Sequence, residues 1–182
     1  MITKGGAQSN IGMSEIKKRR LQLPVRCRPG TKVGEYVPFY FCPRSVMLYV
    51  IHRGNHPELV YKDGQGPIIH LESDLRAVIA WATNGKRLWA YSLSNAGARY
   101  ANFGCTVAGL DKVSWFAIQS PDFRDADIKE GKQAEFLVYE MFPWGLVIRI
   151  GVHTQKVKLV VDKMLASSAH RPTVEIMPDW YF

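Results

Sequence analysis

The feature that most constrains this chain is its succession of short strand-like segments without a helix between each pair. A doubly wound parallel sheet needs a crossover helix after nearly every strand. Here the expected strands fall at 46–52, 68–71, 88–93, 133–139, 146–153 and 173–177. Helical patterning is confined to 14–20, 72–83, 112–119 and 155–165. Strands outnumber helices and the alternation is irregular, which predicts an α+β fold with a mixed or antiparallel sheet. Segment 46–52, VMLYVIH, reads as a buried strand. Residues 36–41 are aromatic and broken by Pro38, as an edge strand or irregular segment would be. Residues 94–103 read as a loop, and 121–131 as a charged, exposed stretch. Ser14 is a cap for the helix that ends at Arg20.

The 182 residues fit one domain that can bury a core without staples. Cys27, Cys42 and Cys105 are far apart and lack a CxxC spacing, which argues against a disulfide framework or zinc site and for a reducing cytoplasm. No signal peptide follows Met1, and no apolar run has the ~20 residues a membrane span requires. The net charge of +8 is unevenly placed. Residues 1–53 hold ten Lys/Arg against Glu15 and Glu35, whereas residues 54–182 are balanced. A basic patch of this kind attracts polyanions, nucleic acid first; the alternative is a solvated basic face with no partner.

Three groups of residues can carry chemistry. On a strand, Gln133 and Glu135 share one face while Ala134, Phe136 and Val138 take the other. An amide and a carboxylate side by side form a catalytic wall, or merely the exposed face of an edge strand. On the first helix, Met13, Ile16 and Arg20 align at spacings of three and four. Arg20 therefore points toward the protein body and needs an anionic ligand or a glutamate as partner, or else forms a surface ion pair or snorkels to the surface. Finally, the run 36–45 interleaves aromatics with Arg44, suited either to stacking a planar ring beside a phosphate or to core packing.

The segments IGMSEIKKRR, YVPFYFCPRSVMLYVIHRGN, EGKQAEFLVYEMFPWGLV and PDWYF, in this order, resemble the DarT family of DNA-targeting ADP-ribosyltransferase toxins. The resemblance covers nearly the whole chain. It implies an ADP-ribosyltransferase core with a central split sheet, NAD as ADP-ribose donor, no metal, and a thymine ring nitrogen in single-stranded DNA as acceptor. It implies a macrodomain antitoxin as partner. Glu135 then matches the catalytic glutamate and Arg20 the catalytic arginine. Tyr40, Phe41, Arg44 and Ser45 lie by analogy near the NAD pocket, with Gln133 orienting the acceptor. Residues 94–132 correspond to a substrate-recognition loop, in which Asn95, Arg99 and Lys132 join Lys17, Lys18 and Arg19 as candidate DNA contacts. The family also builds a strand and helix before the point matched by Met1, with an NAD-contacting histidine that His52, His56, His70, His153 and His170 do not match. A truncated start is the expectation.

Two other readings stay open. Pro121-Asp122 with Glu130-Gly131-Lys132 imitates the PD…ExK pattern of metal-dependent nucleases. The charge asymmetry alone also suits a non-catalytic nucleic-acid-binding module. A metal pair formed by His52 and His56 is disfavoured, because Gly54 interrupts the helix that would align the rings.

Overall fold

The computed structural model describes residues 14–182. In chain order the elements are helix α1 (Ser14–Arg20), strand β1 (Tyr36–Tyr40), helix α2 (Val46–Arg53), strand β2 (His70–Glu72) and helix α3 (Leu75–Asn84). Strands β3 (Trp89–Asn95) and β4 (Phe103–Gly104) follow, then helices α4 (Trp115–Gln119) and α5 (Ala126–Gly131). The chain continues through strands β5 (Ala134–Tyr139) and β6 (Arg149–Val152), helix α6 (Gln155–Leu165) and strand β7 (Thr173–Ile176).

The strands form two sheets, ordered β1-β5-β3-β4 and β2-β6-β7. The first is antiparallel throughout. The second pairs β2 with β6 antiparallel and β6 with β7 parallel, α6 supplying the crossover. This is the split, mixed α+β arrangement expected from the sequence.

Strand β5 lies between β1 and β3, so the edge-strand alternative for Gln133-Ala134-Glu135 does not hold. Both of its faces are covered. Ala134, Phe136 and Val138 pack with Trp89 and Tyr91, while Leu137 packs with Val33, Tyr36 and Ala90. Strand β1 is the edge, where Pro38 removes no essential ladder donor. A third cluster, Val147, Ile150, Val152, Val161 and Val174, seals α6 onto the second sheet.

Segment 46–52 is a helix, not the buried strand its β-branched residues suggest. The local signals outweigh composition. The Ser45 hydroxyl accepts from the Leu48 amide at the start, and Gly54, at φ 60°, closes the end in the left-handed conformation. Val46, Leu48 and Ile51 are the buried residues. Residues 121–131, read as a charged, exposed stretch, are mostly exposed and contain α5, which Asp125 caps through the Asp127 and Ile128 amides. Strand β3 runs on to Asn95, and Phe103–Gly104 return to pair with it, so the expected loop at 94–103 is shorter.

Candidate active site

The ladder between β3 and β5 breaks at one place. Tyr91 pairs with Phe136 and Asn95 with Ala134, so four steps on β3 answer two on β5. Such a bulge unpairs backbone and re-aims side chains. Here it lies opposite Glu135. The Glu135 amide donates instead to the Ser92 hydroxyl at 3.0 Å, and that hydroxyl donates to the Ser94 carbonyl at 2.6 Å. Beyond the bulge, the Ala96 amide donates to Glu135 Oε1 at 3.3 Å.

Helix α1 supplies the rest. Arg20 Nη1 and Nη2 donate to Glu135 Oε1 and Oε2, both at 2.8 Å. Two parallel charge-assisted bonds fix orientation as well as distance. A β-carbon at Gly97 would lie 3.4 Å from Arg20 Cγ and 3.5 Å from Ile16 Cγ2, so a bare backbone lets the helix approach. The inward-facing Arg20 expected from helical spacing is thus found, and the anionic partner it needs is Glu135. Glu135 is 3% exposed, whereas the Arg20 side chain above it is 17% exposed. The pair is reached from the arginine side.

Burial opposes the charge on Arg20, but the hydrogen bond and charge of Glu135 prevail, and its pKa is raised above an already high value. It stays a cation at any working pH. Tyr40 stands opposite Glu135 in the β1–β5 register. Desolvation of its phenol, reinforced by the Glu135 charge and partly offset by Arg20, raises its pKa. Tyr40 is therefore a neutral donor beside a carboxylate, with 43% of its surface accessible.

Two clefts are lined by residues close to this pair along the chain. One, of about 280 Å³, is lined by Ser94, Asn95, Tyr100, Lys129 and Gln133, among others. In it Asn95 Nδ2 donates to Gln133 Oε1 at 3.2 Å, and Gln133 Nε2 to the Lys129 carbonyl at 3.1 Å. The other, of about 360 Å³, is lined by Phe41, Cys42, Pro43, Arg44, Ser120 and Lys132, among others. Neither wall includes Arg20 or Glu135. They adjoin it through chain neighbours: Asn95 precedes Ala96, and Phe41 follows Tyr40.

Several expected contacts lie elsewhere. Lys132 is 3% exposed, and its ammonium donates to the Ile118 and Ser120 carbonyls, each at 2.9 Å. It anchors the end of α4 and cannot meet a DNA phosphate. The Ser45 hydroxyl caps α2 from a buried position rather than facing a ligand. Phe41 packs edge-on against Trp115 and Phe136, so its ring serves the core as well as the cleft. Lys17, Lys18, Arg19 and Arg99 are exposed, as DNA contacts must be. Met13 lies outside the described residues. Sequence reasoning missed Ser92, Ala96 and Gly97. The small polar run SLSNAG was visible, but nothing local announces a bulge opposite a residue 43 positions away.

The nuclease pattern does not assemble. Asp122 is held by Arg124 in an exposed ion pair, and Lys132 is turned onto backbone carbonyls. His52 Nδ1 faces Gln65, while His56 Nδ1 accepts from the Glu58 amide, so these rings do not converge.

The chain is similar to known proteins over nearly its whole length. A Thermus sp. (strain 2.9) protein described as a DNA ADP-ribosyl transferase is 39% identical over 178 residues, covering 96% of this chain and 82% of the relative. A Thermus aquaticus protein of the same description is 36% identical, covering 96% and 76%. The structure of Thermus sp. 2.9 DarT in complex with ADP-ribosylated ssDNA superposes with a TM-score of 0.88 at 37% identity, covering 97% of this chain and 83% of that one. The same protein in complex with NAD+ gives 0.81 at 36% identity, with the same coverage. Fold and sequence similarity together define a DNA ADP-ribosyltransferase. A family model described as "ssDNA thymidine ADP-ribosyltransferase, DarT" matches residues 1–182, and the chain belongs to the DarT family.

Proposed function

We propose that this chain moves ADP-ribose from NAD to thymidine in single-stranded DNA, with Glu135 and Arg20 as catalytic residues. NAD is a substrate, bound by the Thermus relative. The observation that carries the residue assignment is the doubly bonded Arg20–Glu135 pair beneath the β3 bulge.

In the reaction the bond between nicotinamide nitrogen and ribose C1′ breaks with its electrons leaving on nicotinamide. Positive charge grows on the sugar, and a fixed carboxylate opposes it most strongly in a water-poor site. A carboxylate has about four acceptor sites. Among the described residues, Arg20 takes two and the Ala96 amide one. One site on Oε2 remains for a ribose hydroxyl. The thymine ring nitrogen then bonds to C1′ and gives up its proton to solvent water. Arg20 is no base, because it cannot be deprotonated at working pH. Its role is to hold the carboxylate in place and to steady the negative charge that builds on the base. The reactive nitrogen lies on thymine's pairing edge, so the base must be unpaired.

Asn95 and Gln133, bonded to each other in the smaller cleft, present amides suited to orienting the base. Tyr40, Phe41 and Arg44 border the NAD side, and Ser45 acts by starting α2 behind them. Lys17, Lys18, Arg19 and Arg99 track the DNA backbone. The reading places the protein in the bacterial cytoplasm as a toxin held in check by a macrodomain antitoxin. Among the described residues no helix is long and apolar enough to cross a membrane.

Glu135→Gln tests the assignment, since it keeps shape and removes charge. The expected result is a loss of at least ~10² in the rate of labelling a thymine-containing single-stranded oligonucleotide with NAD, with the circular dichroism spectrum unchanged. Near-normal labelling would reject Glu135 as the catalytic carboxylate.

A further inference from the structure

We infer that Phe182, held by Gln65, is a positioning residue that fixes the Arg44 guanidinium at the NAD cleft. The inference rests on the reading of Arg44 as an NAD contact and adds what holds it there.

The segment 178–182 is anchored residue by residue. Trp180 covers Gly151 so closely that a β-carbon there would lie 2.4 Å from the indole. The Arg149 guanidinium lies over the Trp180 ring, 5.1 Å from its centroid. The Tyr181 hydroxyl reaches the Ile68 carbonyl at 2.7 Å and the Gly151 carbonyl at 3.2 Å, and its ring stacks on His153. At Phe182 a buried amide takes over. Gln65, 8% exposed, accepts from the Phe182 amide at 3.0 Å through Oε1, and its Nε2 donates to the Phe182 carbonyl. The same Nε2 lies 3.1 Å from His52 Nδ1. A buried glutamine whose two ends grip both backbone groups of one residue fixes that residue's position.

The Phe182 ring so placed packs against Tyr49 (5.1 Å), Phe123 (5.8 Å) and His52 (6.1 Å). Its face carries Arg44, with Cζ 4.4 Å from the ring centroid. Arg44 Nε is buried without a hydrogen-bond partner among the described residues. Hydrogen bonds therefore do not fix this end of the side chain, and the ring supplies the platform instead. Arg44 lines the larger cleft, and a guanidinium carried over a ring face keeps its N–H donors available to an anion, here a phosphate of NAD. The chemistry at Glu135 does not pass through this contact, so its effect belongs in NAD binding.

The test compares Phe182→Leu, Phe182→Tyr, Gln65→Ala, Arg44→Ala and the double variant Arg44→Ala/Phe182→Leu. Each is measured for KM of NAD and kcat in oligonucleotide labelling, with NMR of the Arg44 Nε–H as a direct readout of ring contact. Phe182→Leu is expected to raise KM about three- to tenfold with kcat within twofold. Phe182→Tyr should restore KM, and Gln65→Ala should raise it. The ring-current shift of the Arg44 Nε–H should disappear in the Leu variant and persist in the Tyr variant. In the Arg44→Ala background, the Leu substitution should add nothing. If Arg44→Ala raises KM and Phe182→Leu does not, the positioning role fails while the NAD reading stands. If Arg44→Ala leaves KM unchanged, the NAD reading of Arg44 fails and the inference with it. An Arg44 Nε–H shift equal in the Phe and Leu proteins would overturn the inference independently of activity.

Discussion

At the scale of single residues, the Arg20–Glu135 pair sets what substitution can do. A lysine at position 20 keeps the charge but loses the planar fork, so only one Glu135 oxygen can be held at a time. Arg20→Lys is therefore expected to slow transfer about tenfold or more while leaving single-stranded DNA affinity near normal. Initial rates and a binding titration on the same protein check this, and equal rates for the two proteins would show that charge alone matters. Both members of the pair were legible in the sequence. Glu135 stood in a Gln-x-Glu strand pattern, and helical spacing turned Arg20 inward. Their meeting was not legible, because 115 residues separate them. Lys132 was misread for the same reason. A lysine at the end of a charged run looks solvated, and only the fold brings the Ile118 and Ser120 carbonyls to it.

At the scale of elements, α2 shows where pattern reading fails. Val46, Val50 and Ile51 favour strands, yet the cap residues at each end outweigh them. Ser45→Ala should lower stability by about 1 kcal/mol, the usual worth of such a cap. Chemical denaturation measures it, and an unchanged midpoint would mean that the cap contributes nothing. The second sheet supplies another test. His70 on β2 lies against Trp180 and Tyr181, its Nε2 buried without a hydrogen-bond partner among the described residues. Burial lowers its pKa from 6.5 to about 4. The unfolded chain binds the proton more readily, so this residue's contribution is present above pH 6.5 and is lost as pH falls from there toward 4. The melting temperature should drop across that window, and His70→Gln should flatten part of the drop. An identical slope in both proteins would remove His70 as the cause. Helix 155–165 was found at its expected bounds, with Thr154 capping its start, and the first helix also ends at Arg20, although Ser14 lies inside it and not ahead of it as a cap. The β3 bulge had no such local signature.

At the scale of the whole molecule, charge asymmetry is the legible property. The excess positive charge lies in residues 1–53, and Lys17, Lys18 and Arg19 display part of it on the exposed side of α1. Replacing these three with glutamine should weaken single-stranded DNA binding and reduce the magnitude of the log–log salt slope by up to about two. Titrations at several salt concentrations measure it, and an unaltered slope would mean these cations meet no phosphate. Not all of the basic region faces outward, however. Arg28 donates to the Trp89 and Cys105 carbonyls and ties its loop to β3.

The buried ammonium of Lys132 bears on how variants of this protein are interpreted. It stands three residues before Glu135 along the chain and one before Gln133, whose amide lines the smaller cleft. Loss of that side chain would strip two carbonyls of their donor and leave α4 unmoored, so the damage would spread to Trp115 and Phe41. A screen that scored only toxicity would file such a variant among DNA-contact mutants, although its lesion is architectural.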